Sequence, residues 1–170
     1  MQPSTQHLCS LIAQALLQAH WQLATAESCT GGMIAAACTD LAGSSTWFER
    51  GFVTYSNQAK MDMLGVNLHL IEQHGAVSQE VAIAMAQGAI QHAHAQVSLS
   101  VTGIAGPAGG SDTKPVGTVW FAWLTPLETQ SEVMHFGGDR TSVRAQAVQH
   151  SLQKLHLLLS NNRARISRGD

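Results

Sequence analysis

A serine and a cysteine stand side by side in the stretch AESCTGG, residues 26–32, where the pattern predicts that a strand turns into a helix. The first residues of a helix leave backbone N–H groups unpaired and carry the positive end of the helix dipole. Such a turn can hold an oxyanion or lower the pKa of a nucleophile, so Ser28 or Cys29 could attack an electrophilic carbon. The same residues are also typical of an ordinary helix start, in which a serine or threonine caps the helix and the glycines allow close packing. This alternative stays open.

A serine nucleophile needs a base, and Lys60 is one of only three lysines in the chain. A lysine that is desolvated in a pocket can be neutral near pH 7 and accept a proton. Tyr55, the only tyrosine, could orient this lysine or relay a proton, because a strand end and one helical turn can aim both side chains at one rim. The alternative is an exposed lysine and a half-buried tyrosine.

The glycine-rich segment from Thr102 to Ser111 could wrap an anion with its backbone N–H groups. It matches neither the P-loop nor the dinucleotide-binding fingerprint, so a structural turn fits it as well. Arg140 follows a Gly-Asp pair at a predicted helix start, where its guanidinium could bind a phosphate or form a surface ion pair.

Nine histidines invite a metal-site interpretation that their spacing does not support. His92 and His94 are two apart on a predicted helix, roughly 200° around its axis. His69 and His74 have no acidic or cysteine partner at ligand spacing. We therefore expect neither a metal nor a cofactor.

Hydrophobic periodicity and turn residues predict the elements that must position these side chains. Strands are expected over residues 21–27, 48–55, 97–102, 118–124 and 131–136. Helices are expected over 8–19, 33–40 and 68–73, around Lys60, after Ser78 and over 143–159. A polar segment rich in arginine, residues 161–170, is predicted to be a frayed, solvated tail rather than an arm for nucleic acid.

Alternating strands and helices followed by a hairpin predict an α/β fold, a mixed sheet with helices on both faces. Ligands bind beyond the carboxyl ends of strands in such sheets. The segments at 28–32, at 55–60 and after residue 102 all follow strands, so they could converge on one site.

The composition of the chain excludes several classes of protein. The 170 residues suit one domain, and 45% hydrophobic with 12% charged residues argues against disorder and against a coiled coil. A net charge of −2 offers no basic surface for nucleic acid. Three cysteines form no disulfide framework and indicate a reducing cytoplasm. The uncharged stretch 1–26 lacks the basic start of a signal peptide. The uncharged stretch 81–111 lacks the unbroken apolar run of a membrane span.

Seven motifs, in order along residues 5–160, resemble the C-terminal domain of the competence/damage-inducible protein CinA. They are TAESCTGG at 25–32, GFVTYSN at 51–57, Lys60, GAVS at 75–78, TGIAGP at 102–107, KPVGTV at 114–119 and GDR at 138–140. The nucleotide-processing domain that precedes this one in longer members has no counterpart here, so deamidation alone is expected.

The resemblance implies a three-layer α/β/α sandwich around a mixed, mostly parallel sheet, as one domain over residues 1–160. It also implies hydrolysis of nicotinamide mononucleotide to nicotinate mononucleotide and ammonia, which returns pyridine nucleotide toward NAD without a metal. The expected partners are this small-molecule nucleotide and a second copy in a homodimer, with neither nucleic acid nor membrane.

The family's catalytic serine, lysine and tyrosine fall on Ser28, Lys60 and Tyr55. The implied mechanism is acyl transfer, with Lys60 as the base for Ser28 and backbone N–H groups of residues 30–32 holding the oxyanion. The residues expected to hold the substrate are Thr30, Gly31, Gly32, Ser45, Thr102, Gly103, Gly106, Gly109, Gly110 and Arg140. A catalytically silent nucleotide-binding module and an amidase built on Cys29, Lys60 and Glu27 remain as alternatives.

Overall fold

A computed structural model describes residues 3–168, with the side chains of residues 3–162. The helices are α1 (Thr5–Ala19), α2 (Met33–Thr39), α3 (Asn57–Leu64), α4 (Leu68–His74), α5 (Gln79–Gln91) and α6 (Arg140–Arg168). The strands are β1 (Leu23–Glu27), β2 (Phe48–Val53), β3 (Val97–Gly103), β4 (Thr118–Leu124) and β5 (Thr129–His135). A short 3-10 turn, Ser44–Thr46, precedes β2.

Serine caps begin three of the helices. The hydroxyl oxygens of Ser4, Ser56 and Ser78 each accept a hydrogen bond from a backbone N–H three residues further on, at the starts of α1, α3 and α5. Such a cap satisfies a donor that the first turn leaves unpaired. The Ser56 cap fixes the start of α3 and so places Lys60 in the first turn of this helix.

The described strands form one mixed sheet in the order β2-β1-β3-β4-β5. Strand β1 pairs in parallel with both β2 and β3, whereas β4 is antiparallel to β3 and to β5. Four of the five strands therefore run in the same direction. Because β1, β2 and β3 are parallel, the segments that follow them emerge at the same edge of the sheet.

Two helix layers cover the sheet and confirm the predicted three-layer sandwich. Side chains alternate along a strand: Leu23 of β1 joins the core beneath α1 and α6, whereas Ala24 and Ala26 join the core beneath α3 and α5. Helices α1, α2 and α6 pack on one face, and α3, α4 and α5 on the other.

Strand β3 turns three buried hydroxyl groups toward α5. Ser98, Ser100 and Thr102 donate to backbone carbonyl groups of α5 or of the turn before it, at 2.6–2.8 Å. Small side chains let the helix approach closely, and each buried hydroxyl finds an acceptor.

Helices α1 and α6 run side by side in the same direction. Thr5 Oγ1 donates to Gln149 Oε1 at 2.9 Å, and Gln149 Nε2 donates to the carbonyl of Pro3 at 2.7 Å. Further along, Leu11 to Gln18 of α1 line a groove with His156 and Ser160 of α6. Pro3, the first described residue, therefore lies beside the first half of α6.

Helix α6 is longer than the helix predicted over residues 143–159. It continues through residues 161–168, and Asn162 is fully buried, where its Nδ2 donates to Thr125 Oγ1 at 2.9 Å. The polar sequence of this segment does not predict the contact, because its partner lies in the turn between β4 and β5. The last two residues of the predicted tail lie outside the described residues. Across residues 3–168, no helix combines the length and apolar character needed to cross a bilayer.

Candidate active site

Ser28 and Lys60 meet at the carboxyl edge of the sheet. Lys60 Nζ lies 3.1 Å from Ser28 Oγ and donates to the backbone carbonyl of Thr54, also at 3.1 Å. The sheet fixes this geometry from both sides, because the Ser28 N–H donates to the carbonyl of Val101 and the Thr54 N–H to that of Glu27. The Ser–Lys pair anticipated from the sequence is thus within hydrogen-bond distance.

Lys60 is buried among uncharged partners. Its side chain is only 2% exposed, and both oxygens near Nζ belong to neutral groups. Burial lowers the pKa of the Lys60 ammonium because the charged form loses its hydration. A lysine in this setting is suited to accept a proton from the neighbouring hydroxyl.

Cys29 faces the opposite side of the sheet end. Its side chain is buried in the core of the α1–α6 layer, where a methyl group added to Gly103 would lie 3.1 Å from its Sγ. Burial raises the pKa of the Cys29 thiol to about 11. Since the thiolate is the nucleophilic form, this environment disfavours Cys29 as the attacking group.

The Glu27 side chain caps the start of α2. Its buried carboxylate accepts three backbone N–H groups, from Gly32 and Ile34 on Oε2 and from Ala35 on Oε1, at 2.9–3.1 Å. These are orphan donors of the first helical turn. Its carboxylate is therefore committed to the helix, which argues against the Cys29–Lys60–Glu27 alternative.

Tyr55 bonds to a different partner from the one expected. Its exposed hydroxyl accepts a hydrogen bond of 2.5 Å from Arg140 Nη2, and Arg140 Nη1 donates to the carbonyl of Gly106 at 2.9 Å. Lys60 instead donates to the backbone carbonyl of Thr54, the residue before Tyr55. Among the described residues, no hydrogen bond joins Tyr55 to Lys60.

Arg144 is a site residue that sequence reasoning missed. Its Nε donates to the carbonyl of Cys29 at 3.0 Å and its Nη2 to that of Thr30 at 3.1 Å. The available signal was its spacing from Arg140, because two arginines four apart lie on one helix face.

The glycines of the turn shape it and use their own donors. Gly31 and Gly32 have positive φ values of 60° and 97°, which a side chain disfavours. The Gly31 N–H donates to the carbonyl of Ser28 and the Gly32 N–H to Glu27 Oε2. Of the three predicted oxyanion donors, only the Thr30 N–H has no acceptor among the described residues.

The glycine-rich loop after β3 divides into packed and open parts. The Thr102 hydroxyl is committed to the carbonyl of Ala76, and Gly103 packs against Val119 and Cys29, so neither presents a free group to a ligand. Gly106 is buried with its carbonyl on Arg140, whereas Gly109 and Gly110 are exposed. Lys114 Nζ anchors the loop by donating to the carbonyl of His74 at 2.7 Å.

Ser45 lies at the wrong edge of the sheet for the predicted role. It precedes β2, and the backbone there is tied to the start of β1 by a hydrogen bond from the Leu23 N–H to the carbonyl of Trp47. Since β1 and β2 are parallel, the length of β1 separates Ser45 from Ser28, roughly 13 Å at 3.3 Å per residue.

Within the described part of the chain, no three histidine, cysteine, aspartate or glutamate side chains come together as a metal site would require.

Residues 5–159 match the family model of the CinA C-terminal domain. The chain is 54% identical over 145 residues to the nicotinamide-nucleotide amidohydrolase PncC of Escherichia coli, covering 85% of this chain and 88% of that protein. It is 49% identical over 152 residues to a CinA-like protein of Syntrophobacter fumaroxidans, covering 89% of this chain. The match spans only 36% of that longer relative.

A solved structure agrees with the fold. The competence/damage inducible protein CihA from Agrobacterium tumefaciens has a TM-score of 0.89 at 42% identity, covering 94% of this chain and 98% of that one. With a family match over nearly its whole length, this chain belongs to the CinA C-terminal domain family.

Proposed function

We propose that this chain hydrolyses the carboxamide of nicotinamide mononucleotide, giving nicotinate mononucleotide and ammonia. The observation that carries the proposal is Lys60 Nζ, buried and 3.1 Å from Ser28 Oγ. The relative from Escherichia coli, named as a nicotinamide-nucleotide amidohydrolase, supports the choice of substrate.

Neutral Lys60 removes the Ser28 proton, and Ser28 Oγ attacks the carboxamide carbon. The former carbonyl oxygen carries the negative charge, which a backbone N–H of the 28–32 turn stabilises. The Lys60 ammonium then protonates the amide nitrogen, ammonia leaves, and an ester remains on Ser28. Water, deprotonated by Lys60, attacks this ester, and the same proton returns to Ser28 as the acid leaves.

Arg140 and the open part of the glycine-rich loop would hold the nucleotide. Two nitrogens of Arg140 already bind Tyr55 and Gly106, but a guanidinium has five N–H donors and this one is exposed. A phosphate bound there would lie at the rim of the site, and contacts remote from the reacting amide can position it for attack.

Ammonia release from nicotinamide mononucleotide, nicotinamide riboside and nicotinamide tests the proposal. We expect turnover of the mononucleotide without added metal and without inhibition by a chelator. Arg140→Ala should raise KM for the mononucleotide by about 10- to 100-fold, as expected for a charge-assisted contact, and raise KM for the riboside far less. Tight binding of the mononucleotide with no ammonia released would instead identify a silent binding module.

A further inference from the structure

One guanidinium holds both carbonyl groups of the turn that follows Ser28. Arg144 reaches from the first turns of α6 and donates to the carbonyls of Cys29 and Thr30, at 3.0 and 3.1 Å. Arg144 is only partly exposed, and its planar fork presents two donors in fixed geometry. The orientation of two successive peptide groups is therefore fixed from the α6 layer.

The carbonyl of Cys29 and the N–H of Thr30 belong to the same peptide group. In a trans peptide these two groups point in opposite directions. Because Arg144 draws the carbonyl toward α6, the Thr30 N–H points away from α6. Ser28 Oγ also lies away from α6, since Lys60 of α3 holds it from the other helix layer.

The Thr30 N–H is one of two donors, with the Cys29 N–H, that the turn leaves without an acceptor among the described residues. The N–H groups of Gly31 and Gly32 are already bonded to the Ser28 carbonyl and to Glu27, whereas no described residue accepts from the Thr30 N–H. Thr30 itself is fully buried, so water competes poorly for this donor.

We propose that Arg144 is a positioning residue, which aims the backbone N–H of Thr30 at the oxyanion that forms when Ser28 attacks. The inference rests on the proposed Ser28–Lys60 chemistry. A hydrogen bond to the Cys29 carbonyl also polarises the peptide group and strengthens its N–H as a donor. Both effects act on charge that develops only in the transition state, so they raise kcat and leave KM nearly unchanged.

The test compares Arg144→Ala with the parent chain in two reactions. The first is hydrolysis of nicotinamide mononucleotide. The second is phosphonylation of Ser28 by an alkyl fluorophosphonate, followed by intact mass: the Ser28 Oγ–P bond forms, fluoride leaves, and Lys60 takes the proton. The phosphoryl oxygen of this probe requires the same donor but no nucleotide.

We expect Arg144→Ala to lower kcat about 10- to 100-fold, less than or equal to the loss of a whole oxyanion donor, with KM changed less than threefold. The phosphonylation rate should fall by a similar factor. The pH at which activity rises should stay the same, because Lys60 is untouched. Addition of millimolar guanidinium should restore part of the rate to folded Arg144→Ala.

Arg50→Ala is the matched control, since Arg50 also donates to a backbone carbonyl, that of His92, away from the site. It should change neither rate. If Arg144→Ala fails to fold, Arg144→Lys carries the test, because one ammonium cannot hold both carbonyls in the same geometry. Its kcat should then fall at unchanged KM.

A folded Arg144 variant with unchanged kcat and unchanged phosphonylation overturns the proposal. So does a rise in KM alone, which would make Arg144 a substrate-binding residue. If the parent chain is phosphonylated at Ser28 but releases no ammonia from the mononucleotide, the proposed substrate is wrong, and the phosphonylation rates still decide the role of Arg144.

Discussion

Ser28 and Cys29 differ in the environment that each side chain enters, although both could serve as nucleophiles. Ser28 Oγ lies beside Lys60 Nζ, whereas Cys29 is packed in the core with its thiol pKa raised to about 11. Near neutral pH almost all of this thiol is protonated.

We therefore expect Ser28→Ala to lose kcat by about three orders of magnitude or more, with binding largely kept. Cys29→Ser should keep most of the activity, and iodoacetamide should not inhibit. Intact mass during turnover should reveal an acyl adduct on the peptide that contains Ser28. An active Ser28→Ala variant, or an adduct that disappears only in Cys29→Ser, would transfer the nucleophile role to the thiol.

Lys60 connects activity and stability through its protonation. Burial lowers the pKa of Lys60 in the folded chain below the value of about 10.4 in the unfolded chain. Between these two pKa values the unfolded state binds more protons, so the free energy of unfolding rises with pH across this window. Below the folded-state pKa the buried lysine is charged, and its burial then lowers the free energy of unfolding by the largest amount. The value of kcat/KM should rise with pH through the same lowered pKa.

Lys60→Met keeps the volume and removes the charge, so we expect an inactive chain that resists urea better than the parent at pH 7. The difference in urea resistance between Lys60→Met and the parent should shrink as the pH approaches about 10.4. Lys60→Arg serves as the comparison, because it cannot deprotonate and should be folded and inactive. Appreciable turnover by folded Lys60→Arg would rule out Lys60 as the base.

Local patterns in the sequence offer Ser28 and Lys60 only as candidates, and they miss residues that act over distance. The strand-to-helix turn points to Ser28, the scarcity of lysine points to Lys60, and the family resemblance pairs the two. Arg144 is 114 residues from the Thr30 carbonyl that it binds, and no local pattern connects them. The resemblance implies that Ser45 holds the substrate, but Ser45 lies before β2, at the opposite edge of the sheet from Ser28.

At the scale of elements, the start of α2 depends on a carboxylate supplied by the preceding strand. Glu27 is the last residue of β1, and three N–H groups of the α2 start converge on its side chain. The helix is only seven residues long, too short to be stable on its own. This contact therefore holds the helix and the intervening turn as one unit.

Glu27→Gln should lower the free energy of unfolding by about 1.5–3 kcal/mol or more, because the amide NH2 cannot accept and the charge is lost. Activity should fall with it, through displacement of the 28–32 turn. Urea unfolding checks the first effect and kcat the second. Abolished activity with unchanged stability would instead support a catalytic Glu27.

Element boundaries follow from local patterns to within a few residues, and the largest difference arises where a tertiary contact extends an element. Ser78 predicts the start of α5, and hydrophobic periodicity predicts the course of β3. The end of α6 escaped prediction because the buried Asn162 is stabilised by Thr125, far away in the chain.

At the scale of the molecule, the site joins the two helix layers across one edge of the sheet. Lys60 comes from the α3–α5 layer, Arg140 and Arg144 come from the α6 layer, and Ser28 lies at the end of β1 between them. The α/β class is predictable from alternating elements. The position of the site between the two helix layers is not predictable in this way, because it depends on the order of strands in the sheet.

The parallel course of α1 and α6 decides how the protein could be attached to a surface. An anchor placed ahead of Pro3 would emerge beside Gln149, close to the end of α6 that bears Arg140. An anchor placed beyond residue 168 would emerge roughly 28 Å further along the same helix, at 1.5 Å per residue. An electrode or bead coupled through that far end would leave the mouth of the site facing the solution.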